Sequence, residues 1–327
     1  MERLNDYLPK LDDLLEKSQG DKNAYLHPKR KNLGSVSLVV VREAIAPLVI
    51  RNAEQEITDI EFNNETYVRA VPNKFKYPER GRALQILRAM NAGGRYPQNR
   101  TAIPKGSKAS DSFDLNTLVF GDSANHDSKV LPVRAAVNYS DALSLKPKYL
   151  CVGESFHNRG FEDGTLWDAD AKKNTDNLFS RHFINPGTLL IQVLSTRGKL
   201  LPLIGLKHLL LSVGLAGSYG GQTAVTGINV RSHFVGIYAD LFEKAETSPY
   251  ELIKRIDGAE ITDVASLTQS IDNLLKPLHK TSIPGTEVQA WVESLIQDFN
   301  QPGGALEAEY QKAAQAMVQL FDGWFGK

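Results

Sequence analysis

Nine basic residues lie between positions 74 and 108 (Lys74, Lys76, Arg80, Arg82, Arg88, Arg95, Arg100, Lys105 and Lys108), against one acidic residue, Glu79. Such a set is poorly suited to making or breaking bonds. It is well suited to holding phosphate, which guanidinium groups grip in pairs of parallel hydrogen bonds. A second stretch, GLAGSYGGQTAVTG from Gly214 to Gly227, carries five glycines in fourteen residues. Glycine costs folding entropy, so this density marks a backbone that turns sharply or is approached closely. Its GLAG and GSYG tetrapeptides have the GxxG spacing that sets backbone N–H groups against a nucleic-acid chain. On that reading Gly217, Gly220 and Gly221 meet the strand, Tyr219 stacks on a base, and Gln222 donates to a phosphate or base edge. A helix C-cap followed by a loose turn is the alternative.

Arg80-Gly81-Arg82 reads as the opening of a helix, where unpaired N–H groups and the positive dipole end add to the arginines. Arg88, six residues past Arg82, is expected on roughly the same side. Arg181-His182 precedes a strand-like run, with Arg181 and His182 candidates for contact to RNA and His182 a candidate general base. Signatures of other chemistry are thin. There is no GxxxxGK[ST] loop, dinucleotide fingerprint or HExxH, and the seven histidines are scattered. One cysteine, Cys151, with His157 six residues on, supplies too few ligands for zinc. No cofactor, metal or catalytic residue is expected.

The formal net charge of the 327 residues is zero, but the distribution is lopsided. From Asp240 onward there are fourteen acidic and seven basic residues. A basic segment and an acidic tail cancel in sum, not in space. The apolar runs are too short to span a bilayer, and the lone cysteine suits a reducing compartment, so a soluble cytoplasmic protein with no membrane partner is expected. Leu4, Leu8, Leu11 and Leu15 have the spacing of an amphipathic helix.

SVSLVVVREA (Ser35 to Ala44) is a strand, ITDIEF and TYVRAV form a hairpin turning at Asn63-Asn64, and PERGRALQILRAM is a helix opened by Pro78 and stopped by Gly93-Gly94. Strand-like PVRAAVNYS and GTLLIQVLST follow, then an apolar helix over Leu201 to Val213 and a strand over Ile228 to Tyr238. Past about residue 245 the pattern is helical throughout. The fold expected is α+β, an RRM- or ferredoxin-like β-α-β-β-α-β palm. Its bounds are residues 1–34 (N-terminal helical segment), 35–245 (core, with a thumb-like insertion at 92–131 and an irregular one at 141–180) and 246–327 (helical region).

These segments resemble the repeat-associated mysterious protein (RAMP) superfamily of CRISPR-associated proteins. The glycine stretch resembles its glycine-rich loop, PERGRALQILRA its helix-opening segment, and LVFG with PVRAAVNYSDA its Phe-Gly turn and strand end. More narrowly, VPNKFKYPERGR, FDLNTLVFGDSA, VNYSDALSLKPKYLCV and GLAGSYGGQT are similar to the backbone subunit of type I-D CRISPR interference complexes, Cas family seven, over residues 35 to 240. The resemblance implies a non-catalytic subunit that polymerises side by side with copies of itself along a guide CRISPR RNA. It implies further partners in the target DNA strand and the large, small and RNA-end-capping subunits of the complex. The thumb would lie within residues 95–131. The strands show no RRM-type aromatic pattern, which leaves phosphate as the expected grip. The alternative is an endoribonuclease of the same superfamily that processes guide precursors with a histidine such as His182. Relatives that cut target RNA use a loop aspartate, and Asp111, Asp114 and Asp122 are all open as its counterpart.

Overall fold

The computed structural model describes residues 1–15, 33–51, 57–94, 113–121, 125–126, 129–130, 133–158, 165–174 and 178–325. Strand β1 (Ser35–Ala44), hairpin β2 (Asp59–Phe62) and β3 (Glu65–Ala70), and helix α1 (Asn73–Ala89) come first. Helix α2 (Leu115–Phe120) and strands β4 (Val137–Tyr139), β5 (Ala142–Pro147), β6 (Val152–Asn158), β7 (Leu178–Ile184) and β8 (Leu189–Thr196) follow. Then come α3 (Leu203–Leu215), β9 (Val230–Asp240), α4 (Pro249–Arg255), α5 (Val264–Leu275), β10 (Thr281–Pro284), α6 (Gly285–Phe299) and α7 (Ala305–Phe325).

The main sheet is antiparallel, in the order β10-β9-β1-β8-β5-β3-β2, with β4 pairing β8 as well. Of the strands of the expected β-α-β-β-α-β succession, β1, β4, β8 and β9, β1 stands between β8 and β9 and β4 pairs β8; β5, from the stretch expected to be irregular, pairs β8 as well. β1 reads as a nearly unbroken apolar run because both its faces are covered. Val36, Leu38 and Val40 join the core shared with α1, α2, α3, α6 and α7. Val39 and Val41 point the other way, into the core closed by Leu252, Leu267, Ile271 and Leu275 of α4 and α5. Asn63 and Asn64 make the hairpin turn, both with left-handed backbone (φ 53° and 63°).

Several elements depart from the sequence expectation. The N-terminal leucines form no single helix; two short 3-10 turns, Glu2–Leu4 and Leu11–Leu15, stand there instead. Pro9 between them has no N–H to continue a helix. Residues 141–180 are not simply irregular, since β5 joins the main sheet and β6 pairs with β7 in a separate ribbon. The 92–131 stretch holds a core helix, α2, buried through Leu115, Leu118, Val119 and Phe120. The rest of the thumb region, with Arg95, Arg100, Lys105 and Lys108, lies outside the described residues. The C-terminal region is not wholly helical, because β10 adds an edge strand to β9.

Alternation along β1 also points Arg42 toward α1, on the same side as Leu38 and Val40. There it meets Glu79, Nη1 to Oε1 at 2.7 Å, with both side chains fully buried. Glu79 accepts two more hydrogen bonds, from the hydroxyls of Tyr139 (2.6 Å to Oε2) and Tyr219 (2.9 Å to Oε1). Arg42 donates further to Gln192 Oε1 (3.1 Å) and Ser232 Oγ (2.7 Å), and lies 4.9 Å from the Phe75 ring centre. Burial first, then the Glu79 charge, pushes both tyrosine hydroxyls well above their usual range, so both remain donors.

This packing sets two expectations for stability. Glu79→Ala strands the Arg42 cation in the core and is expected to cost about 3–5 kcal/mol, read as a lower urea midpoint. His208 is buried on α3 with Nδ1 3.0 Å from the Tyr310 hydroxyl of α7, and burial lowers its pKa from 6.5 to about 3. The unfolded chain therefore binds one more proton than the folded one between those values. Stability is expected to decline as pH falls below about 6.5, by up to ~1.4 kcal/mol per unit from this group. Unfolding of wild type and His208→Gln at pH 7 and 5 should differ by that one proton.

Candidate nucleic-acid interface

A cleft of about 810 Å³ opens between the first half of α1 and the glycine loop. Asn73, Lys74, Lys76, Tyr77, Pro78 and Arg80 form one wall; Gly220-Gly221, with Phe120, Gly121, Val133 and Ala135, form the rest. The basic helix and the glycine bend, far apart in sequence, thus face each other across one space. Each wall is anchored by the buried network, since Glu79 precedes Arg80 and Tyr219 precedes Gly220.

The loop's glycines serve the protein's own backbone before any ligand. Gly220 is left-handed (φ +73°), and a Cβ there would stand 2.3 Å from the Val49 carbonyl oxygen. That approach lets the Gly221 N–H donate to Val49 O at 2.8 Å. At Gly214, within α3, a Cβ would collide with Val292 of α6. Gly217 is taken up internally, its carbonyl accepting from the Asn229 and Val230 amides.

The expected site residues divide accordingly. Lys74, Lys76, Arg80, Gly220 and Gly221 line the cleft. Tyr219 does not offer its ring to a base: it is fully buried, its hydroxyl on Glu79 and its backbone clasped by Asn229. The aromatic ring exposed in the cleft belongs to Tyr77, which no sequence motif singled out. α1 begins at Asn73, so Arg80-Gly81-Arg82 lies in mid-helix and offers side chains, not free helix-end N–H groups. Arg82 is exposed and donates to Gln85, and Gly81 is exposed beside it. Arg88 turns to the far end of the helix, its Nε donating to Gly94 O at 2.7 Å. Six residues are about 600° of helix, which carries Arg88 well round from Arg82.

Arg181 and His182 are inside β7, so alternation sends them to opposite faces. With the Gln222 amide oriented to accept, its oxygen receives Arg181 Nη1 (2.9 Å) and Arg51 Nη2 (3.1 Å). Two guanidinium groups thus converge beside the glycine loop, and Arg51 had no local signal to single it out. His182 stands apart, its Nε2 3.5 Å from Glu154 across the ribbon. Asp114 is a half-buried N-cap of α2, accepting from Thr117 N (3.0 Å) and Gly94 N (3.2 Å). Asp111 and Asp122 lie outside the described residues. Cys151 is buried, with Sγ against the Lys146 carbonyl, and the His157 ring meets Ser155 instead.

The molecule is therefore an α+β protein with a helix-flanked antiparallel sheet and a basic cleft between one helix and a glycine-rich bend. The chain belongs to the Csc2 CRISPR family, whose model, described as Csc2 Crispr, matches residues 43–316. Among solved structures it resembles the crystal structure of Thermofilum pendens Csc2, at 17% identity and a TM-score of 0.63, covering 100% of this chain and 97% of that one. A chain of a CRISPR RNA-guided surveillance complex, pre-nicking, is also similar, at 9% identity and a TM-score of 0.52 over 80% of this chain and 100% of that one. No curated protein matches. Among the described residues, no helix is long and apolar enough to cross a membrane.

Lys76 is half-buried beside Arg80; burial first, then the neighbouring guanidinium, holds its ammonium below the usual 10.5. A bound phosphate opposes both effects and restores the proton. Affinity for a short oligonucleotide is thus expected to fall as pH rises through a range below 10.5, where free Lys76 is neutral and bound Lys76 is charged. Lys76→Arg should flatten that decline, measured by fluorescence anisotropy between pH 7 and 9.5.

Proposed function

We propose that this chain is the backbone subunit of a type I-D CRISPR interference complex, binding guide RNA along the cleft and lying side by side with further copies. Base pairing by the RNA then selects the target DNA strand, while the protein holds ribose-phosphate. The large, small and RNA-end-capping subunits are the other partners on this reading, in the cytoplasm. The observation that carries it is the cleft itself, which sets Lys74, Lys76 and Arg80 opposite Gly220-Gly221. Membership of the Csc2 CRISPR family supports it, as does the likeness in fold to a chain of an RNA-guided surveillance complex. On this proposal the subunit cuts nothing. Arg181, on the face opposite His182, meets Gln222 of the glycine loop, which supports binding there.

Phosphate-led binding predicts weak sequence preference and strong salt dependence. Lys74→Ala with Arg80→Ala should weaken binding to unrelated single-stranded RNAs alike, and reduce the slope of log affinity against log salt by about 0.7 for each phosphate no longer neutralised. A repeat-containing transcript incubated with the protein should shift stoichiometrically in a native gel and stay intact in a denaturing one. Discrete shorter products would point to a guide-processing nuclease instead.

A further inference from the structure

Tyr77 and Gly81 stand one helical turn apart on α1, at i and i+4, with Lys74 a turn before them. Tyr77 is 65% exposed and lines the cleft, whereas Tyr219 on the opposite wall is fully buried. A large ring so exposed on the wall of a basic cleft contributes little to folding. Gly81 is odd in a complementary way. Glycine is among the poorest residues for a helix interior, tolerated where packing demands it. Here packing demands nothing: a Cβ on Gly81 would meet no atom within 4 Å, and the residue has no left-handed φ. The fold gives no reason to leave that turn bare. A ligand lying across the helix does.

We infer that Tyr77 and Gly81 form a stacking slot for an unpaired RNA base, the base lying on the Tyr77 ring and its sugar-phosphate crossing the bare turn at Gly81. Lys74, Lys76 and Arg80 hold the flanking phosphates. The inference rests on the RNA-binding reading and adds an interaction of another physical kind, because stacking on an aromatic ring is tolerant of sequence and nearly independent of salt, unlike phosphate binding. Every base has a π-face, so the slot accepts any base. A duplex, whose bases are already stacked, offers it nothing.

The test uses the purified full-length chain and fluorescence anisotropy with single-stranded RNA of mixed sequence across a salt series. Tyr77→Ala should lower affinity on the order of tenfold, with the salt slope unchanged; Tyr77→Phe should restore binding. Binding of double-stranded RNA should be the same for Tyr77→Ala and wild type. Gly81→Ala should raise the thermal midpoint while lowering RNA affinity, opposite signs that a purely structural glycine cannot give. If Tyr77→Ala and Gly81→Ala bind RNA like wild type while Lys74→Ala and Arg80→Ala bind weakly, the slot is wrong and the phosphate cleft stands. A loss in Tyr77→Ala that also flattens the salt slope, or that phenylalanine fails to rescue, overturns the slot equally. If the lysine and arginine variants are silent too, the RNA-binding reading falls and takes the slot with it.

Discussion

The Arg42–Glu79 ion pair governs where everything else sits. Removing two charges from water costs several kcal/mol per ion, and attraction offsets that only when the remaining hydrogen-bonding capacity is filled. Glu79 fills its own with Arg42, Tyr139 and Tyr219, drawn from β1, β4 and the glycine loop. Those contacts tie the four segments together at one buried carboxylate. Their consequence lies at the surface. Arg80 follows Glu79 and Gly220 follows Tyr219, so fixing the buried residues fixes both cleft walls.

Burial of Glu79 also alters the electrostatics. Counted along the sequence, it subtracts one charge from the basic segment. In the folded molecule it is spent on Arg42, itself outside that segment, and the cleft does not feel it as a free anion. Part of the acidic tail is set aside differently. α4 and α5 cover the sheet face opposite α1, and layers of a packed domain are about 10 Å apart. Helices on the two outer layers are then separated by about two Debye lengths at physiological ionic strength. The sheet thus stands between the cleft and the acidic residues of α4 and α5, whereas those of α6 and α7 share the α1 side of the sheet.

What the sequence disclosed follows from how local each cause is. β1, β8, β9 and α3 were legible because long apolar runs need only their own composition to be recognised, and the β2–β3 turn because Asn63-Asn64 tolerates left-handed backbone. The start of α1 was misplaced because Pro78 marks an early helical turn without saying which one. β10 and the β6–β7 ribbon were missed because each is short and exists through a partner. Tyr219 reads as exposed since glycines surround it; its partner Glu79 is 140 residues away. The glycines raise the same difficulty, for the Val49 carbonyl that excludes a side chain at Gly220 lies on a distant segment.

That close approach to Val49 bears on how a cleft of this sort can work. Gly221 donates to Val49, and the neighbouring Leu48 exchanges hydrogen bonds with Ile184 of β7. The bend is therefore laced into the sheet and ribbon by main-chain bonds. One wall of the cleft presents the Gly220-Gly221 backbone, held by those bonds, beside Phe120, Val133 and Ala135, while the other carries long cationic side chains. A ligand whose repeating unit is the same at every step needs a fixed distance of closest approach and charges that adjust to it. A chain of phosphates is such a ligand. A glycine backbone so held supplies the distance without reading a base, and lysine and arginine stems absorb the variation between steps. On the proposed reading, indifference to sequence is thus a property of the wall's chemistry, and selection of a target has to come from the bases of the bound strand.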